Sequence, residues 1–123
     1  MVSLNDLMSG NVLLHRGEWV MAIIICPELL LVEKSLGLQY YAPIEEFEGI
    51  PLTVELMQRL GWIAGESMAG MTVCAPKGYS DDRLVFNEDG QIKWADANGG
   101  QPIQYLHELQ NIYYWTHRKH LPV

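Results

Sequence analysis

Three of the four histidines, His107, His117 and His120, fall in the closing stretch Gln104–Leu121. Imidazoles gathered in this way first suggest a metal site. His117 and His120 are three apart and share one face of a helix that runs through both. His107 lies ten residues before His117, nearly three turns earlier, too far to share an ion unless the chain folds back. No metal is therefore expected. The run Asn87–Asp96 has a faint calcium-loop look, but Val85 stands where the first ligand would have to be, and hairpin signals flank it instead of helices. Gly65-Glu66-Ser67-Met68-Ala69-Gly70 misses a nucleophile elbow, its second glycine coming one place late. Cys74 has no neighbour in sequence that would activate a thiol, and no glycine loop for phosphate precedes a helix. Nothing assembles a nucleophile, a base and an oxyanion donor. The sequence points away from an enzyme and implies no cofactor. A polar cleft around His107 is the one route back to an enzymatic reading.

The elements around these residues are easier to read. Leu106, Leu109, Ile112, Tyr113 and Thr116 make one stripe of a 3.6-residue helix. Pro102 and Asn98-Gly99-Gly100 keep that helix from starting much before Ile103, and Pro122 stops it. Arg118, Lys119 and His120 suit the negative end of its dipole. A single stripe cannot bury Tyr105, Tyr113, Tyr114 and Trp115 together, so Tyr114 and Trp115 are surplus and become candidate contacts.

Upstream, Val12-Leu13-Leu14, Trp19–Cys26, Leu29–Glu33 and Leu38–Ile44 read as four short strands joined by tight turns. Trp19–Cys26, continuous in apolar residues, reads as buried on both faces. The pattern predicts a small, bent antiparallel barrel of SH3-like kind, carrying the ring side chains Trp19, Tyr40 and Tyr41. A short helix follows, with Thr53 as N-cap, Glu55 in the first turn and Gly61 at its end. Met71–Ala75 is a strand, and Leu84–Phe86 with Gln91–Trp94 form a hairpin around Asn87–Gly90. Gly65–Gly70 and Pro76–Asp82 read as loops, and the closing helix is expected to lie on this second sheet. The fold class is α+β in a single domain, residues 1–48 forming the barrel and residues 49–123 the helix, hairpin and closing helix.

Length and composition fit one globular domain: 123 residues, 49% hydrophobic and 19% charged. Fifteen acidic against eight basic residues give a formal charge of -7, which argues against direct binding to a phosphate backbone. It suits a basic protein partner. Two cysteines without a metal spacing, Cys26 and Cys74, fit reduced thiols. The start, with Asp6 and no basic residues, is unlike a secretion signal. The longest unbroken apolar run, Trp19–Cys26, is eight residues, against about 20 needed to span a bilayer. A soluble, cytoplasmic chain is expected.

Three segments carry a resemblance. They are Asp6-Leu7 through Gly10-Asn11-Val12, Gly49-Ile50-Pro51-Leu52-Thr53 through Leu60-Gly61-Trp62, and Tyr105-Leu106-His107-Glu108-Leu109-Gln110-Asn111-Ile112-Tyr113-Tyr114. Together they resemble a family of small uncharacterised proteins of Bacteroidetes genomes, their phages and mobile elements. That family's closing pattern is similar to YVHQLQNLYFALTGKEL. After Tyr114 this chain departs from it and lacks the glycine that ends the family's helix, so the helix is expected to run further. The resemblance implies a phage- or mobile-element-associated accessory protein and supplies no activity. His107, Gln110 and Asn111 are its polar positions. They are read as a polar lock, bonded to the hairpin or to the chain leading into the short helix.

Three functions follow from these readings. The first is a non-enzymatic interaction module that binds a protein partner or itself, with Tyr114, Trp115, Tyr40, Tyr41 and Trp19 as contacts. The second is an acidic mimic of nucleic acid that inhibits a nucleic-acid enzyme, which needs Glu45, Glu46, Glu48, Asp81, Asp82, Glu88 and Asp89 on one face. The third is a small enzyme built around His107.

Overall fold

The computed structural model of the protein describes residues 2–66, 70–77, 82–96 and 99–123. The fold is α+β, with two five-stranded antiparallel sheets, one short helix and a C-terminal helix. The chain divides into two compact units. The first comprises the chain up to Pro51 together with Tyr105–Leu121, and the second Leu52–Gln104 with the last two residues. The second unit is thus an insertion between two parts of the first.

The first unit contains β1 (Val12–His15), β2 (Glu18–Ile25), β3 (Leu29–Lys34), β4 (Leu38–Pro43) and β5 (Phe47–Glu48), in the spatial order β4-β3-β2-β1-β5. Two residues connect β1 to β2. Arg16 (φ 51°) and Gly17 (φ 82°) both take the left-handed conformation, the geometry that matches a hairpin's twist. Along β2 and β3, Ala22 pairs with Val32 but Ile24 with Leu31, so β2 carries one extra residue at Ile23. This bulge resets the alternation, leaving Ile24 on the outer face and Ile25 on the inner one. The inner face holds Leu13, Val20, Leu30, Val32, Ala42 and Phe47, packed with Val2 and Leu7.

The bulge and the alternation correct the reading of Trp19–Cys26 as buried on both faces. Val20 and Ala22 are buried, whereas Trp19, Met21 and Ile24 are exposed. An apolar run mimics a two-sided core strand when the solvent side of an antiparallel sheet is itself apolar.

The helix α2 (Leu106–His117) belongs to this first unit and packs against β1. The expectation that it lies on the second sheet is therefore replaced. Where a longer helix was expected, α2 stops at His117. Arg118 takes a left-handed conformation at φ 58° and donates its N–H to the Tyr114 carbonyl. Glycine is the residue that takes this conformation without penalty, so the stop is made here without the residue that makes it easy. Gly49 sits where the chain passes closest to α2's entry: an added Cβ would lie 2.6 Å from Cγ of the Tyr105 ring.

The second unit begins with α1 (Val54–Arg59). The Thr53 hydroxyl caps it by accepting the Leu56 N–H at 3.0 Å. There follow β6 (Ile63–Glu66), β7 (Thr72–Ala75), β8 (Arg83–Phe86), β9 (Ile92–Asp96) and β10 (Gly99–Pro102), a plain meander in the order β10-β9-β8-β7-β6. Cys74, Leu84 and Trp94 face one another across three neighbouring strands and are buried, with Leu56 and Met57 of α1 also buried. The expected hairpin is the β8–β9 connection, where Asn87 N–H meets the Gln91 carbonyl and Gly90 has φ 85°. Part of the expected loop Gly65–Gly70 is the strand β6, and residues 67–69 lie outside the described residues, as do residues 78–81 of the second expected loop. No helix among the described residues is long and apolar enough to cross a membrane.

Candidate interaction face

Among the described residues, seven of the nine large apolar side chains left exposed belong to the first unit: Trp19, Met21, Ile24, Leu29, Leu38, Tyr41 and Trp115. The strand register shows how they come together. Ile24, Leu31 and Tyr41 are successive cross-strand partners on β2, β3 and β4, which makes one apolar row over the outer face. Trp19 pairs with Leu14 and Met21 with Val12 on the same face. Leu29 and Pro43 form the next pair beyond the row. Tyr41 is 60% exposed, Ile24 47% and Trp19 45%. Val12 is the one buried member of this face. Two carboxylates stand on it, Glu33 opposite Met21 and Glu48 opposite Leu14.

Of the predicted contact residues, Trp19 and Tyr41 lie on this face. Trp115, 68% exposed on α2, donates its indole N–H to the sulfur of Met8 at 3.2 Å. The hydroxyl of the next residue, Ser9, reaches the Ile23 carbonyl at 2.9 Å, beside the bulge. Tyr40 and Tyr114 are otherwise engaged. The Tyr114 ring stacks on His120 at 4.9 Å, and Tyr40 turns inward to pack on the core.

Tyr40 leads to a constellation that the sequence did not announce. Its hydroxyl lies 2.7 Å from Nδ1 of His15, whose Nε2 lies 3.0 Å from Oε1 of Glu46. Arg16 meets the same carboxylate oxygen at 3.0 Å. One ring nitrogen of His15 thus faces a phenol and the other a carboxylate, each within hydrogen-bond distance. The hydrogen bond from His15 holds the Glu46 carboxyl below its usual range, Arg16 adding to this while desolvation opposes it. A hydroxyl, an imidazole and a carboxylate in line is the pattern of an activated nucleophile. Here, however, the imidazole is buried and stacked on Phe47 at 4.8 Å, so the chain of groups ties the β1–β2 turn to the turn Ile44–Glu46. The partners lie 25 and 31 residues from His15 in sequence, and no spacing rule relates them.

The polar residues of α2 do form bonds, but to partners other than those expected. Gln110 accepts the Val12 N–H at 2.8 Å and donates to the Gly10 carbonyl at 3.1 Å. Asn111 accepts from the Asn11 amide and donates to the Asp6 carbonyl, both at 2.7 Å. These bonds clamp α2 onto the lead into β1, within the first unit, and not onto the hairpin or the chain entering α1. His107, 3% exposed, stacks on Tyr105 and leaves its Nδ1 without a partner. Burial lowers its pKa, against smaller opposing effects of Glu108 and Asp6, so the ring is held neutral. Burial likewise pushes the Cys74 thiol up, away from reactivity.

Of the acidic residues expected to share one face, Asp82 is buried and Glu46 is bound by His15 and Arg16, while Asp81 lies outside the described residues. Among the described residues no group of three or more metal-ligating side chains comes together.

Compared with known protein families, with curated proteins and with solved structures, the chain finds no match.

Proposed function

We propose that the chain is a non-enzymatic protein-interaction module that binds its partner on the outer face of the first sheet. The observation that carries this reading is the apolar row Ile24–Leu31–Tyr41 with Trp19 beside it, on a sheet face where a monomer ordinarily places polar residues. The face carries the carboxylates of Glu33 and Glu48 and the chain a formal charge of -7, so a partner presenting apolar side chains and lysine or arginine complements it. We read the first unit as a small SH3-like barrel. Its strand order, the β1–β5 pairing and the single turn of 3-10 helix before β5 support this. The sequence resemblance supports a role as a phage- or mobile-element-associated accessory protein, and the free thiols of Cys26 and Cys74 support a cytoplasmic setting.

The test is capture from a cell lysate by the immobilised chain, set against a variant carrying Trp19→Ser, Ile24→Ser and Tyr41→Ser. These three side chains are already half in water, so the variant is expected to keep its circular dichroism and lose specific captured proteins. An unchanged captured set would remove the outer face from consideration.

A further inference from the structure

The second sheet also has an outer face, and the register fixes which residues stand on it. Cys74, Leu84 and Trp94 are cross-strand partners and are buried, so the alternate positions point the other way. Gly65, Val73, Val85, Lys93 and Pro102 are successive partners across all five strands and form one row of that face. Arg83 pairs with Ala95 beside this row, and Ile63 with Ala75. None of these nine residues is buried, and Ile63, Arg83 and Lys93 are exposed. Among the described residues nothing comes within 4 Å of a Cβ added at Gly65, so the ground there is open. Cδ of Lys93 lies 3.8 Å from a Cβ added at Gly100, which lays the lysine stem over β10. The face is therefore shallow, floored by glycine, alanine and valine, and the charges that stand on it are cations.

The first outer face is the reverse of this one in both relief and charge. There the large side chains Trp19, Ile24 and Tyr41 are exposed, and the charges beside them are the carboxylates of Glu33 and Glu48. Neither face suits a copy of itself. Two first faces would set carboxylates against carboxylates in a chain already carrying -7, and two second faces would set cations against cations over small side chains. We infer that the first sheet's outer face in one copy of this chain docks on the second sheet's outer face in another copy.

Sheets stacked face to face lie about 10 Å apart. Where one face carries small side chains, large ones on the other must fill that gap, as the rings of Trp19 and Tyr41 do. The row Ile24–Leu31–Tyr41 crosses three strands, a span of about 10 Å, and the receiving row crosses five, about 19 Å. The narrow ridge thus lands wholly on the wider floor. Arg83 already donates to the Asp82 carbonyl, so the charge match rests on Glu33 of one copy and Lys93 of the other. The contact is heterologous, each copy offering one face to a neighbour on either side until the set closes on itself. The docking rests on the interaction role proposed for the first outer face and names its occupant: the partner with apolar side chains and a lysine is the chain's own second sheet.

The experiment is light scattering on size-exclusion chromatography, from low concentration up to the order of 100 μM, where a contact of this small size associates. The wild type should rise above the 14.0 kDa of one chain at the high end. The variant carrying Trp19→Ser, Ile24→Ser and Tyr41→Ser lacks the first face, and one carrying Val85→Ser and Lys93→Glu lacks the second. Each alone should stay a monomer. Mixed in equal amounts, they should form a species of two chains and none larger, because each supplies the face that the other lacks. If circular dichroism shows either variant misfolded, Tyr41→Lys takes the place of the first and Lys93→Glu alone that of the second. A wild type that stays at the mass of one chain overturns the docking, as does a mixture that stays monomeric. A second-face variant that assembles as the wild type does overturns it too. A monomeric wild type whose first-face variant still loses its captured proteins leaves the interaction role intact, with another protein as the occupant. Assembly in the mixture beside an unchanged captured set has the reverse meaning: the second copy stands as occupant and the lysate partner falls.

Discussion

Gln110 is the side chain on which the first unit's helix depends most directly. It satisfies two backbone groups of the segment leading into β1, the Val12 N–H and the Gly10 carbonyl, and is itself buried. Removing the amide leaves both groups without partners, at a cost of about 1–3 kcal/mol for a buried polar group. Gln110→Ala is expected to lower the urea midpoint by an amount corresponding to about 2 kcal/mol. Trp115→Ala, with two thirds of its surface in water, should shift it far less. His107 acts through its proton. Burial holds its folded pKa below the ordinary value of about 6.5. Above that value the ring is neutral in both states and nothing is lost. As pH falls through it, the unfolded chain takes up a proton that the folded chain refuses, so stability declines towards the lower folded pKa. Urea midpoints measured between about pH 7.5 and 5 should fall on acidification. They should fall less steeply in His107→Gln, and an identical slope in the two proteins would show that another group governs the acid limb.

At the scale of elements, the end of α2 shows how a helix can stop without a glycine at its C-terminus. Arg118 holds φ 58°, a conformation that glycine adopts without penalty and that costs an L-residue roughly 1 kcal/mol. Arg118→Gly is therefore expected to raise stability by about 0.5–1 kcal/mol, read as a higher midpoint with an unchanged slope in urea. The Arg118 side chain is exposed and has little packing to lose. The same residue explains a failure of sequence reading: the helix was expected to run on for want of a glycine, yet the Arg118 N–H closes a last helical bond to Tyr114 while Arg118 itself turns left-handed, a conformation that local propensity does not assign to arginine. Local signals elsewhere were sufficient. The Thr53 cap, the Asn87–Gly90 hairpin and the four N-terminal strands were legible because each is set by residues within a few positions of one another. What could not be read are the long-range choices. An eight-residue apolar strand gives no sign of which side meets water, and the bulge at Ile23 that turns Ile24 outward depends on the register with β3. His15, Tyr40 and Glu46 are united only by the fold.

For the molecule as a whole, the division of the chain matters more than its charge. The first unit is discontinuous. It consists of the chain up to Pro51 and resumes at Tyr105, with all of α2 drawn from the later part. The two ends of the break are already partners, since Pro51 and Tyr105 form an antiparallel bridge and the Leu106 N–H donates to the Ile50 carbonyl at 2.8 Å. Directly opposed residues in such a bridge lie about 5 Å apart at Cα, a gap that a two- to four-residue turn closes. The core of the first unit, from Val2 to Phe47, contains no residue of the second. Replacing residues 52–104 by a short Asn-Gly turn should therefore leave a folded unit with its own cooperative urea transition. Its slope should be smaller than that of the whole chain, because slope scales with the surface exposed on unfolding. The polar clamp of Gln110 and Asn111 on the lead into β1 should persist, so Gln110→Ala should cost the shortened chain about as much as the whole one. A shortened chain that unfolds without a transition would mean that the inserted sheet supplies part of the first unit's stability, although the first unit's own core residues are all its own. A cooperative transition with an unchanged Gln110→Ala cost would establish α2 and the first sheet as an independent folding unit, one in which the outer face can be studied without the inserted sheet.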